Sequence, residues 1–204
     1  PHGHPYPGAY DLLDTLKLQM ISIFDPPDGS LINSTDPMGR ARPDQVDPSL
    51  LTLAMSQAVD QPLVFTPVYQ AASGNRIFLV GKSDSALILA SINTDYFREL
   101  AGQISFGVKG HAAIVDQSGN VLAHPLPAWV AGAKNISKIS SVARMMNGET
   151  GIEQFYSPAL KGDMIAGLTA VDGPGWGVMI PQPVSEIYDK AMQNLAPVIW
   201  GLLS

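Results

Sequence analysis

The chain has 204 residues, of which 46% are hydrophobic and 15% charged; that length suits one large or two small domains, and the apolar fraction excludes a disordered polymer. A net charge of −6 and a pI near 5.0 exclude nucleic acid as a partner, because phosphate binding needs a basic face. The absence of cysteine excludes disulfides, thiolate metal sites and cysteine nucleophiles.

Pro1 to Gly8 is a turn-prone leader without the pattern of a secretory signal, and the start at Pro1 reads as the edge of an excised segment. Leu12, Leu13 and Leu16 recur at helical spacing, which predicts a short helix over residues 9–19. Met20 to Asp25 is apolar and β-prone, Pro26 to Gly29 is a turn, and Leu31-Ile32 begins a return strand. Three prolines and several charges make residues 36–48 a loop, and Pro48-Ser49 then opens a helix over about Leu50 to Val59.

Leu63 to Tyr69 reads as a strand that Pro67 confines to an edge or a bulge. Strands follow at Arg76 to Lys82 and Ala86 to Ile92, joined to what precedes by a Ser73-Gly74-Asn75 turn. Asn93 or Thr94 can cap a short helix, and Gly102 to Gly110 is a connector. In the second half His111 to Asp116 and Val121 to His124 are strands around a Gln117-Ser118-Gly119-Asn120 turn. Residues 125–140 are expected to be a loop containing Trp129, and Ser141 to Asn147 a helix stopped by Gly148. Strands at Gly151 to Ser157, Met164 to Val171 and Trp176 to Ile180 precede a helix from Val184 to Leu195 that can run on to the C-terminus.

The two halves repeat each other. Ile23-Phe24-Asp25, a turn and Gly29-Ser30-Leu31-Ile32 match Ile114-Val115-Asp116, a turn and Gly119-Asn120-Val121-Leu122; Phe65-Thr66-Pro67 matches Tyr156-Ser157-Pro158 at the same offset of about 91 residues. Each half is therefore expected to be a five-stranded antiparallel sheet with helices between its second and third strands, an α+β organisation.

On these residues the chain resembles the double Cache, or tandem PAS-like, extracytoplasmic sensor domains of bacterial receptors. The likeness rests on Ile23 to Ser34, on Gly110 to Pro125, on Phe155-Tyr156-Ser157-Pro158 and on Gly175 to Pro183, and extends from about Leu12 to Met192. It implies a membrane-distal PAS-like module over 1–101, a membrane-proximal one over 102–192, and a C-terminal helix over 193–204 leading toward a membrane span. It also implies a long N-terminal helix missing or truncated here, a homodimer in the full-length receptor, and a place on the periplasmic or extracellular side of a bacterial inner membrane. Ala196 to Leu203 is apolar and too short to span; it fits either the start of a span or a packed helix end.

Enzyme chemistry finds little footing. Gly81-Lys82-Ser83 would close a phosphate-binding loop only if a glycine stood at position 76, which is Arg76. There is no Gly-x-Ser-x-Gly elbow and no His-Glu-x-x-His. Asp163 and Asp172 fall at strand or turn ends, and His2 and His4 lie in the leader. No catalytic residue, metal site or cofactor is therefore expected.

A PAS-like sheet closes a small-molecule pocket over one face, and candidate ligand residues follow. In the amino-acid-binding branch of this family the distal module carries an Arg-x-Trp-Tyr run and an Asp in its last strand; here Arg40-Ala41-Arg42-Pro43 and Ser91 stand in those places. No anchor for an α-ammonium group is left, while Arg40 and Arg42 could hold a carboxylate bidentately. Arg76, Phe78, Val80 and Lys82 share one face of their strand by alternation, and Tyr69 is a candidate pocket phenol. In the proximal module His124 and Trp129 are expected near a small cavity, with Tyr156 facing the same space. The alternative for His124 is a bond to a backbone carbonyl that locks its loop.

The reading is a small-molecule sensing domain whose ligand, a carboxylate on this view, is relayed through the membrane to a cytoplasmic output such as the histidine kinase of a two-component system. Its rivals are a ligand-free structural or protein-interaction module of such a receptor and a soluble enzyme.

Overall fold

The structure, a computed structural model, describes residues 13–15, 17–26, 28–35, 48–56, 63–71, 74–106 and 110–203. Two compact units divide between Tyr96 and Phe97. Arg40 and Arg42, and most of the helix expected over 9–19, lie outside the described residues. Residues 13–15 are helical, and Lys17, at φ 54°, turns the chain into a strand that starts at Leu18 rather than Met20.

In the first unit β1 (Leu18–Phe24), β2 (Leu31–Ser34), β3 (Val64–Phe65), β4 (Tyr69–Ala71), β5 (Gly74–Ser83) and β6 (Ala86–Asn93) form one antiparallel sheet in the order β2-β1-β6-β5-β3, with β4 also paired to β5. Six strands stand where five were expected. The third strand is cut in two around Thr66-Pro67, because Pro67 has no N–H to place in the ladder. Thr66 repairs the gap: its backbone N–H donates to the Phe78 carbonyl, and its hydroxyl oxygen accepts the Phe78 N–H at 3.1 Å.

Helix α1 (Pro48–Ser56) packs Leu50 and Ala54 onto Phe24, Phe78, Val80, Leu87 and Leu89. Register explains the set. Phe24 faces Leu87 across the ladder, Val80 faces Leu89 and Phe78 faces Ser91, and directly opposed residues of antiparallel strands share a face. The alternation expected for Arg76, Phe78 and Val80 thus places them on the face that α1 covers.

The second unit opens in α2 (Asp95–Gly102). The residue before it, Thr94, is buried and donates its hydroxyl to the Asn75 carbonyl. The expected connector contains β7 (Ser105–Phe106), paired with β8 (Gly110–His111) in a two-stranded ladder. A five-stranded antiparallel sheet follows in the order β10-β9-β13-β12-β11, from β9 (Ala113–Val115), β10 (Val121–Ala123), β11 (Gly151–Ser157), β12 (Gly162–Val171) and β13 (Trp176–Pro183).

Residues 125–140 are not a plain loop. Pro127 occupies the first turn of α3 (Pro127–Ala131), where its fixed φ suits a helix and its missing N–H is not needed, and Trp129 sits on that helix. Helix α4 (Ser140–Met146) lays Val142 and Met145 on the sheet core of Ala113, Val115, Phe155, Met164, Leu168 and Met179. It comes close because Gly177 has no side chain: a Cβ there would lie 2.9 Å from Met145 Cβ. Helix α5 (Val184–Leu203) continues past Leu195. Among the described residues no helix is long and apolar enough to cross a membrane.

The two hairpin turns matched in the sequence share their backbone bonds. Asp25 N–H donates to Ser30 O and Gly29 N–H to Asp25 O, each at 2.8 Å; Asp116 N–H donates to Asn120 O at 2.9 Å and Gly119 N–H to Asp116 O at 3.0 Å. Gly29 and Gly119 both hold positive φ, 69° and 80°. The side chains differ. Asp116 is fully buried, and its carboxylate accepts the N–H groups of Ser118 and Asn120 and the Asn120 amide. In the first turn the exposed Asp28 accepts the Ser30 N–H, which lowers its pKa.

Candidate functional site

The covered face of the first sheet ends in a polar corner. Tyr69 pairs with Arg76 across β4 and β5, and its ring meets Phe78 edge-on with centroids 5.9 Å apart. Phe78 is buried. Ser91 lies between Phe78 on one neighbouring strand and Met20 on the other. It is fully buried, and its hydroxyl has no hydrogen-bond partner among the described residues. An unsatisfied buried hydroxyl costs about 1–3 kcal/mol, so something that visits this corner has reason to meet it. The other three buried serines find partners, Ser157 by accepting the Leu160 N–H at 3.4 Å. Ser22 Oγ lies 3.0 Å from Ser34 Oγ, and Ser141 donates to Met179 Sδ at 3.5 Å.

In the second unit β10 ends at Ala123, and His124 turns into Pro125 and α3. Its ring stacks on Trp129 at 4.7 Å and 23°, and meets His111 edge-on at 5.2 Å. Lys134 Nζ lies 3.9 Å from the centroid of the Trp129 ring, in cation–π range. His124 does lock its loop, but as an acceptor: Nδ1 takes the Leu126 backbone N–H at 3.0 Å, and the expected bond to a carbonyl is not made. Burial, then the charges of His111 and Lys134, lower the His124 pKa to about 4. The neutral ring accepting at Nδ1 must carry its proton on Nε2.

A cavity of about 340 Å³ opens beside this ring, walled by Arg98, Ile104, His111, His124, Pro125 and Pro127 among others. Trp129 supports His124 without reaching the wall, and Tyr156 belongs elsewhere. Tyr156 is 59% exposed, on the opposite side of β11 from the core residue Phe155, so the expectation that it faces the cavity is corrected. Arg98 and His111 were not singled out in the sequence; they come from different elements, and no spacing rule links them to His124. A larger groove of about 490 Å³ runs between Leu160, Asp163 and Tyr188 at the start of α5. Among the described residues no cluster of three or more potential metal ligands occurs.

The family model for the Cache domain matches residues 11–191. The chain belongs to the Cache domain family. No curated protein sequence matches it. Among solved structures, this Cache domain is similar to the extracellular domain of rpHK1S-Z16, a protein assigned as a histidine kinase, at 16% identity and a TM-score of 0.68 over 91% of this chain and 80% of that one. It is similar to the ligand-binding domain of the Pseudomonas aeruginosa amino-acid chemoreceptor PctB in complex with L-Gln, at 16% identity and a TM-score of 0.59 over 97% and 80%. It covers 52% of the extracellular domain of mmHK1S-Z2, also assigned as a histidine kinase, and 62% of its own length aligns there with a TM-score of 0.53 at 16% identity. At such identities the likeness establishes the shared fold.

Proposed function

We propose that this Cache domain is the extracytoplasmic sensory part of a bacterial transmembrane receptor, and that it binds a small molecule on the covered face of its first sheet. The observation that carries the reading is Ser91: a fully buried hydroxyl without a partner among the described residues, in a corner built by Phe78, Tyr69 and Arg76. The family and the ligand-bearing structural neighbour support the same reading. The two units are taken as tandem PAS-like modules, membrane-distal and membrane-proximal, and the full receptor as a homodimer with a histidine kinase or chemoreceptor output. Ligand binding then acts by differential affinity for two arrangements of the receptor.

The ligand proposed is a small carboxylate. Ser91 stands where an acidic anchor for an α-ammonium would be needed, and a hydroxyl cannot supply that charge. Arg40 and Arg42 are proposed as the cations that receive the carboxylate, with Arg76 on β5 as a third candidate. An Arg–carboxylate pair in a partly desolvated pocket contributes about 1.5–3 kcal/mol. The test is a thermal-shift screen of small carboxylates and L-amino acids. A ligand at a hundred times its Kd adds about 2.7 kcal/mol, several degrees for a domain of this size. A hit that fails to shift Ser91→Leu or Arg76→Gln supports the site, and hits on wild type and both variants alike refute it.

A further inference from the structure

The chain carries 12 basic against 18 acidic side chains, yet among the described residues the cavity beside His124 has no acidic residue in its wall. Its titratable groups are Arg98 from α2, His111 from β8 and His124 after β10. The rest of the wall is apolar or backbone, with Ile104, Pro125 and Pro127 prominent. We propose that this cavity is a second ligand site, in the second unit, for a small organic carboxylate: Arg98 supplies the charge, His124 a directed neutral Nε2–H donor, and the apolar wall holds a short carbon body. The site is separate in sequence and in residues from the corner at Ser91, and it stands or falls independently of that reading.

Three independent features converge on it. A volume of about 340 Å³ lies at the small end of the range for ligand pockets, about 300–1,000 Å³, which suits a body of a few carbons. The donor is pre-oriented: the Leu126 N–H on Nδ1 fixes the tautomer, and the stack on Trp129 fixes the ring plane. The ring is held neutral: burial first, then the charges of His111 and Lys134, lower its pKa.

Because His124 donates while neutral, its role does not require acid. Protonating it would place a hydrogen on Nδ1, against the Leu126 N–H. Binding through His124 should therefore persist at neutral pH, where an ordinary histidine is mostly neutral as well.

The experiment is calorimetric titration of the whole 204-residue chain with propionate near pH 7, with inorganic phosphate and propionamide as comparison probes. Propionate is expected to bind, with about tenfold to hundredfold loss in Arg98→Gln and in His124→Phe. His124→Phe keeps a ring for Trp129 to stack on but removes both the Nε2 donor and the Nδ1 acceptor of the Leu126 N–H, so Arg98→Gln is the variant that leaves the loop bond in place. Arg98 is exposed on its helix, so its variant tests the site without disturbing the core. Asp28→Ala, at an exposed turn of the first unit, should leave this affinity unchanged. Absence of heat with propionate overturns the proposal, as does equal affinity in wild type, Arg98→Gln and His124→Phe. Equal binding of phosphate would reduce the site to a bare anion hole and overturn the organic carboxylate; equal binding of propionamide would remove the role of charge.

Discussion

His124 accepts the backbone N–H of Leu126 at 3.0 Å, a bond its imidazole can make only while Nδ1 is unprotonated. That single bond ties the end of β10 to the start of α3, and it makes the local structure sensitive to acid. The pKa of His124, lowered to about 4 by burial first and then by His111 and Lys134, expresses the same preference.

The sign of the resulting pH dependence follows. Above about pH 6.5 His124 is neutral in both folded and unfolded chains, and the full stability is present. As pH falls from there toward 4, the unfolded chain takes up a proton that the folded one refuses, and stability declines. Discounted for the ring's partial exposure, the loss is about 1–2 kcal/mol, or roughly 2–8 °C in Tm. Among the described residues His111, Lys134 and Trp129 act on the ring, and Arg98 shares its cavity wall. Melting curves of wild type and His124→Phe across this window should converge as pH falls; parallel curves would contradict the assignment.

Asp116 should be much more costly to remove than Asp28, the exposed carboxylate of the first turn. Asp116→Ala strips the acceptor from three buried or half-buried donors, at about 2–4 kcal/mol. Asp28→Ala, at an exposed site with one backbone bond, should leave Tm nearly unchanged. Chemical denaturation of the two variants decides this, and equal losses would contradict it.

The close approach of α4 to its sheet gives a third expectation. Gly177→Val adds atoms where Met145 already stands and should cost about 1–3 kcal/mol. Pairing it with Met145→Ala should recover part of the loss, since the helix side chain is what the new atoms meet. A double variant no more stable than the sum of the singles would place the strain elsewhere.

The amount of this that the sequence discloses depends on how local each cause is. The hairpin turns at Asp25–Ser30 and Asp116–Asn120 are legible because Asp and Gly act within a few residues. The shared face of Arg76, Phe78 and Val80 is legible because strand alternation is a rigid rule. Alternation says which residues share a face but not which face is inward, and that is why Tyr156 was expected in a cavity while Phe155 fills the core. The short helix around Trp129 was hidden because five residues carry no periodicity, and only Pro127 marks its start. The cavity at His124 was half legible: His124 could be singled out, but Arg98 and His111 reach it by tertiary packing of separate elements.

The central claim, that this Cache domain receives a small molecule at the Ser91 corner, is tested most directly by native mass spectrometry of the purified chain, before and after incubation with small carboxylates. The account predicts a discrete non-covalent adduct of one small molecule on the wild-type chain that Ser91→Leu does not retain. Bare chain mass under every condition, or an adduct held equally by Ser91→Leu, would contradict it.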